Sequence, residues 1–124
     1  MVIFGEPASK ANSRKLVTNR QTGRPMFIKS EKARAYLRSL EQQVPVFRPL
    51  LSGPLAVTMT IYYATERPDL DESLILDGLQ NRVYRNDRQV REKHVFHAID
   101  RETPRAEIEI REMAGPLFAA AEAA

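Results

Sequence analysis

The chain contains five aspartates, and four of them, Asp69, Asp71, Asp77 and Asp87, fall within nineteen residues. Like charges this close repel unless a cation stands between them. Asp69 and Asp71 are two apart and follow the strongest strand pattern in the chain, so in an extended segment both carboxylates turn to one side. Asp71 is expected to cap a short helix, whose first amides would hold its orientation. Asp87 follows a turn and precedes another strand pattern, which can return it to the same point. Carboxylates converging at a strand end form a hard-oxygen site suited to Mg²⁺ or Mn²⁺. Beside a basic segment, the natural ligand of such a metal is a phosphodiester, and the chemistry is metal-assisted hydrolysis. The same residues equally suit a helix cap, a turn and a solvated surface, and their spacing alone leaves both readings open.

The cations are unevenly placed. Residues 1–48 carry ten Lys/Arg against three Asp/Glu, and residues 49–124 carry nine against thirteen. Fourteen of the nineteen are arginine, the residue whose fork matches phosphate oxygens. Arg14, Lys15, Arg20 and Arg24 form the densest stretch, joined by Lys10, and these are candidate DNA-backbone contacts. Arg67, Arg85, Arg88 and Arg91 flank the carboxylates, and Arg67 and Arg88 are added to the DNA-contact set. There is no cysteine, which excludes disulfides, zinc–thiolate sites and a thiol nucleophile. His94 and His97 are three apart and would face opposite sides of a strand, so they do not suit a shared metal. With 43% hydrophobic and 28% charged residues the composition is that of a globular domain rather than a disordered one. No apolar run approaches the roughly 20 residues that cross a bilayer, and the first residues lack a signal peptide's basic region. The expectation is a soluble cytoplasmic domain.

Several elements must position these groups. Residues 2–4 suit a short strand, and 6–29 a long basic loop with a hairpin near Thr22-Gly23. Ser30 suits an N-cap for a helix over 30–43, with Ala33, Tyr36, Leu37, Leu40 and Val44 at helical spacing. Residues 55–64 form the clearest strand, with Leu55, Val57, Met59, Ile61 and Tyr63 on one face. A short helix fits 72–80, a strand 89–99, and a cleanly alternating strand 105–111. Phe27 and Phe47 are expected in the core. The last two strands can pair as a hairpin. Two helices over one face of a mixed sheet give a single α+β (mixed α/β) domain over 1–113, followed by an Ala-rich, frayed tail at 114–124.

Residues 67–90, RPDLDESLILDGLQNRVYRNDRQV, resemble the signature of the RusA family of Holliday-junction resolvases. That signature is D-L-D-N, a helix containing Lys and ending L-D-A-L, then D-D-x-Q-[VI]. GEPASKANSR, FIKSEKARAYLRSL and RAEIEIREMA resemble the family's flanking segments, so the likeness runs from residue 1 to about 114. The resemblance implies a small homodimeric endonuclease, often phage- or prophage-encoded in bacteria, that uses Mg²⁺ to cut four-way DNA junctions by paired nicks. It implies that Asp69, Asp71 and Asp87 hold the metal, with Asp77 behind them or as a fourth ligand. A two-fold dimer would match the near two-fold symmetry of an open junction, and strand 55–64 is one candidate for the contact, although its apolar face suits a core better.

Two departures stand out. Glu72 replaces the family's Asn, and the helix is two residues shorter than the family's and lacks the lysine expected one turn after Asp71, with Ile75 at that spacing. Lys93 or Lys10 would then have to bring a cation to the scissile phosphate. The missing lysine motivates a second reading, a junction-binding module without cleavage. A third is a metal-dependent phosphohydrolase of small phosphates, which would not need the basic first half.

Overall fold

Residues 1–9 and 14–113 are described in this computed structural model. Lys10 and the expected tail at 114–124 lie outside them. The described chain forms β1 (Val2–Phe4), β2 (Arg14–Thr18), β3 (Pro25–Lys29), α1 (Glu31–Gln43), β4 (Leu55–Tyr63), α2 (Ser73–Leu79), β5 (Val90–Ile99) and β6 (Arg105–Glu112). It is a small single α+β domain with a mixed sheet and two helices, as the sequence implied.

β4 forms where the alternation is cleanest. Leu55, Val57, Met59, Ile61 and Tyr63 are all buried, and they meet the apolar faces of both helices in one core. α1 begins where Ser30 Oγ accepts the Ala33 N–H at 3.2 Å, and it buries Ala33, Tyr36 and Leu40. The Tyr36 hydroxyl is buried without a hydrogen-bond partner among the described residues. α2 buries Leu74, Ile75, Leu76 and Leu79. Gly78 lets α2 approach α1 closely, since a Cβ there would lie 2.8 Å from Leu40 Cδ1.

The sheet order is β1-β6-β4-β5, with β5 parallel to β4 and the other pairs antiparallel. The expected hairpin of the last two strands is therefore corrected. The unit β4–α2–β5 is a parallel crossover, which starts β5 at the same end as β4. The link from β5 to β6 then crosses the end of β4, where the Asp100 N–H donates to the Tyr63 carbonyl at 2.9 Å. Arg105 fastens this crossing. It donates to Asp100 at 2.7 Å and to Glu107 at 2.8 Å, and its guanidinium lies 4.0 Å over the Tyr62 ring. β4 has a neighbour on both edges, so it offers no free edge for a dimer contact.

Much of the expected loop at 6–29 is ordered as a hairpin arm, β2 against β3, with Leu16 opposite Phe27 and Arg14 opposite Lys29. Its turn closes where the Gly23 N–H donates to the Asn19 carbonyl at 2.7 Å, with Gly23 at φ 69°. A second correction follows. Phe27 is 68% exposed on this arm and is not in the core, because a two-stranded sheet has no second layer to bury it. Phe47 packs partly buried against the core, as expected.

Candidate functional site

The segment from Asp69 to Glu72 is irregular and links β4 to α2. Tyr63, fully buried at the end of β4, holds it. Its hydroxyl donates to the Asp69 carbonyl at 3.1 Å and accepts the Asp71 N–H at 3.1 Å. One phenol thus joins the backbones of both aspartates. Burial raises its pKa above the ordinary tyrosine value. The hydrogen bond with the Asp71 backbone opposes the rise, and the negative charges of Asp71, Glu6 and Glu72 add to it. Three carboxylates therefore stand close enough to Tyr63 to act on its charge. Glu6 is held by the Ala64 N–H at 2.9 Å and lies 3.7 Å from Lys32. The His97 ring stacks on Tyr63 at 4.9 Å.

Asp71 does not cap α2 in the expected way. The cap position is Glu72, whose side chain makes no capping bond. Asp71 Oδ1 instead accepts from the Ser73 N–H at 3.0 Å and from the Ser73 hydroxyl. The bend reaches two residues forward from the aspartate, an Asx turn rather than an N-cap.

Asp87 opens a 3₁₀ turn, Asp87–Gln89. The N-D-R-Q sequence explains that turn. The Asn86 side chain accepts the Arg88 N–H at 2.9 Å, and Gln89 Oε1 accepts the Arg85 and Asn86 N–H groups, each at 3.0 Å. The Gln89 amide donates to the Leu51 and Gly53 carbonyls, which ties the turn to the loop before β4. Gln80 then couples Asp87 to Asp77. It accepts the Asp87 N–H at 3.2 Å and donates to Asp77 Oδ1 at 3.1 Å. Beneath them the Tyr84 hydroxyl donates to the Leu76 carbonyl at 2.6 Å. Burial raises its pKa well above the ordinary value, and the charges of Asp87 and Asp77 add to the rise.

A cavity of about 630 Å³ opens over this pair. Asp77, Asp87, Ser73, Arg14, Lys29 and Phe27 are among its walls. Lys29 reaches in from the arm to stand 3.4 Å from Asp77 Oδ2. The cavity thus joins carboxylates from α2 and the 3₁₀ turn to cations from β2 and β3. Ser73, on its wall, is the residue bonded to Asp71.

Lys93, on β5, donates to Glu72 at 2.6 Å, so it does reach the start of α2. Ile75, at the expected lysine's spacing, is fully buried. That position of the shortened helix faces the core, which leaves no place there for a charge. Lys15, Arg20 and Arg24 are exposed on the arm, and Arg67 and Arg88 are exposed beside the carboxylate segments. His94 pairs with Glu92 at 3.0 Å, away from the Tyr63–His97 stack.

Asp69, Asp71 and Asp87 are all hard oxygen donors with no soft ligand among them, which suits Mg²⁺ or Mn²⁺. Among the described residues, no group of three His, Asp or Glu is gathered tightly enough to hold one ion. The arrangement is two carboxylate clusters, one around Tyr63 and one over Tyr84, joined by Ser73.

A family model described as Endodeoxyribonuclease RusA matches residues 5–111. The chain belongs to the RusA endodeoxyribonuclease family. No curated protein matches it. The RusA match spans both carboxylate clusters, the basic arm and every element except β1 and the last residue of β6. Membership implies nuclease activity on DNA. No helix among the described residues is long and apolar enough to cross a membrane.

Sequence reasoning missed Tyr63, Lys29, Glu6 and Ser73 as parts of this site. Tyr63 read as one more core position in β4. Lys29 stands opposite Arg14 because the hairpin is centred between Gln21 and Thr22, and the expected turn at Thr22-Gly23 would have set it opposite Leu16 instead.

Proposed function

We propose that this RusA-family chain is a Mg²⁺-dependent endonuclease that resolves four-way DNA junctions by paired symmetric nicks, acting as a homodimer in the bacterial cytoplasm. One observation carries the reading within the family: cations of the arm and carboxylates of α2 and the 3₁₀ turn share a single cavity. A phosphodiester entering there meets Arg14 and Lys29 on one side and Asp87 on the other.

In this reading Asp69, Asp71 and Asp87 would hold Mg²⁺ or Mn²⁺, with Asp77 supporting them. When bound, the metal would activate a water and neutralise charge on the phosphate. Tyr63 would fix the backbones that carry Asp69 and Asp71, and Gln80 and Gln89 would fix Asp87. Arg14, Lys15, Arg20, Arg24, Arg67 and Arg88, with Lys10, would grip the DNA backbone. Lys29 or Lys93 would supply the cation that α2 lacks. A two-fold dimer would bring two such sites to the two symmetric strands of one junction.

The buried Ile75 favours a second reading, a RusA-type module that binds junctions without cutting them. One experiment separates the two. A labelled synthetic four-way junction and a linear duplex are incubated with wild type and Asp71→Asn, with and without Mg²⁺. Paired nicks that need both Mg²⁺ and Asp71 support the enzyme. Tight junction binding without nicks, in Mg²⁺ and Mn²⁺ alike, supports the binding module. Equal treatment of junction and duplex rejects both. Retained nicking by Asp71→Asn removes Asp71 from the mechanism.

A further inference from the structure

The β2–β3 arm is unusual in what it leaves exposed. Leu16 is 60% exposed and Phe27 68%, and the two stand directly opposite each other across the hairpin. Arg14 and Lys29 form the next directly opposed pair but one, so they share the same face. From the base of the arm outward, that face carries a cation pair and then an apolar pair. Its base meets the site, since Lys29 lies 3.4 Å from Asp77 and Phe27 lines the same cavity as Asp87.

Charge indicates what the apolar pair meets. Residues 14–29 include Arg14, Lys15, Arg20, Arg24 and Lys29 and not one acidic residue. A second copy of this arm would bring its own five like charges against them, so self-association is disfavoured. A polyanion is favoured. The phosphate backbone has no apolar surface to offer Leu16 and Phe27, and in an intact duplex each base is already stacked on its neighbours. A nucleobase whose stack is broken has a free face, and such bases occur at the branch point of a junction.

We infer that the Leu16–Phe27 face of the arm takes an unstacked nucleobase at the DNA branch point, while Arg14 and Lys29 hold the phosphate beside it. The inference rests on the DNA-cleaving reading above and deepens it. Apolar wedges of this kind part base steps in other DNA-binding proteins, where unstacking is costly and contact with the freed base returns part of that cost. At a branch point the stack is already broken, so the return comes without the outlay. The same residues then explain selectivity for branched over linear DNA without any base-specific hydrogen bond.

The test uses the full chain without divalent metal, so that nothing is cut. A four-way junction carries 2-aminopurine at the branch point, where its emission reports stacking, and a linear duplex carries it at mid-length. Wild type, Phe27→Ala and Phe27→Tyr are titrated against both. Phe27 is exposed on a hairpin outside the core, so its removal leaves the fold intact, which circular dichroism checks. Wild type should change the branch-point emission. Phe27→Ala should lose that change and bind the junction roughly 5- to 150-fold more weakly, the range of one base–aromatic stack, with duplex binding unaltered. Phe27→Tyr, which keeps a ring, should behave as wild type. Phe27→Ala that binds the junction and shifts the emission as wild type does overturns the inference and leaves the nuclease reading standing. Wild type that binds junction and duplex alike overturns the junction reading, and the inference with it.

Discussion

Removing the Tyr63 hydroxyl tests whether the two aspartates act as a held pair. In Tyr63→Phe the ring keeps its place in the core and its stack on His97, and only the bridge between the Asp69 carbonyl and the Asp71 amide is lost. Two neutral hydrogen bonds disappear, each worth about 1 kcal/mol net. Asp69 is exposed and Asp71 only half-buried, so water can satisfy the freed backbone groups and the cost stays near the low end. The loss is therefore about 1–2 kcal/mol, and it falls on the segment that would order around the metal. Since about 1.4 kcal/mol is tenfold in an equilibrium constant, the Mg²⁺ concentration for half-maximal cleavage should rise roughly 5- to 30-fold. The rate at saturating Mg²⁺ should recover, and junction binding without metal should not change. The assay is the initial nicking rate over a Mg²⁺ series, with thermal unfolding alongside. An unchanged Mg²⁺ midpoint with intact cleavage would show that the bridge does not position the aspartates. A fall in rate that saturating Mg²⁺ does not restore would mean that Tyr63 acts in some other step.

Two further predictions concern the scaffold. Tyr36→Phe should stabilise the protein by about 1 kcal/mol in urea unfolding, because it deletes a buried hydroxyl that has no partner among the described residues; a clear loss of stability would mean that the hydroxyl is satisfied. Asp100 is held below the ordinary carboxylate range, first by its hydrogen bond from Arg105 and then by the Thr103 amide. A depressed carboxyl stabilises the fold above its ordinary pKa and loses that contribution as pH falls through the lowered one. The urea midpoints of wild type and Asp100→Asn should therefore differ at pH 6 and draw together progressively as pH falls below the ordinary carboxylate value, and a gap independent of pH would refute that linkage.

What could be read from the sequence was local. α1 follows from Ser30 and a 3.6-residue apolar stripe, and β4 and β6 from strict alternation, because each pattern is written within a dozen residues. The order of strands was not legible. β6 lies between β1 and β4, and β5 is parallel to β4, because α2 forms a crossover whose handedness and direction no short window contains. Site residues divide the same way. Asp69, Asp71, Asp77 and Asp87 are visible as a cluster in sequence, and the structure sets Asp77 beside Asp87 and ties Asp71 to Ser73. Phe27 was misread because an aromatic among apolar neighbours resembles a core residue until the second layer is found to be missing. Tyr63 was rightly placed in the core, but periodicity records that a side chain is buried and not that its hydroxyl reaches the backbones of Asp69 and Asp71.

The missing helix lysine shows how the fold can relocate a charge. Ile75 lies in the core, so in the nuclease reading a cation for the phosphate would approach from a neighbouring element. Lys93 comes from β5 to Glu72 at 2.6 Å, and Lys29 from β3 to Asp77 at 3.4 Å. Both lysine side chains remain about half exposed, at 48% and 49%. The Lys29–Asp77 pair is exposed on both sides, and such pairs are worth about 0–1 kcal/mol, so Lys29 can leave Asp77 for a phosphate at little cost. A lysine fixed in the core of a helix could not make that exchange. Of the two, Lys29 shares its cavity with Asp87 and its strand face with Phe27.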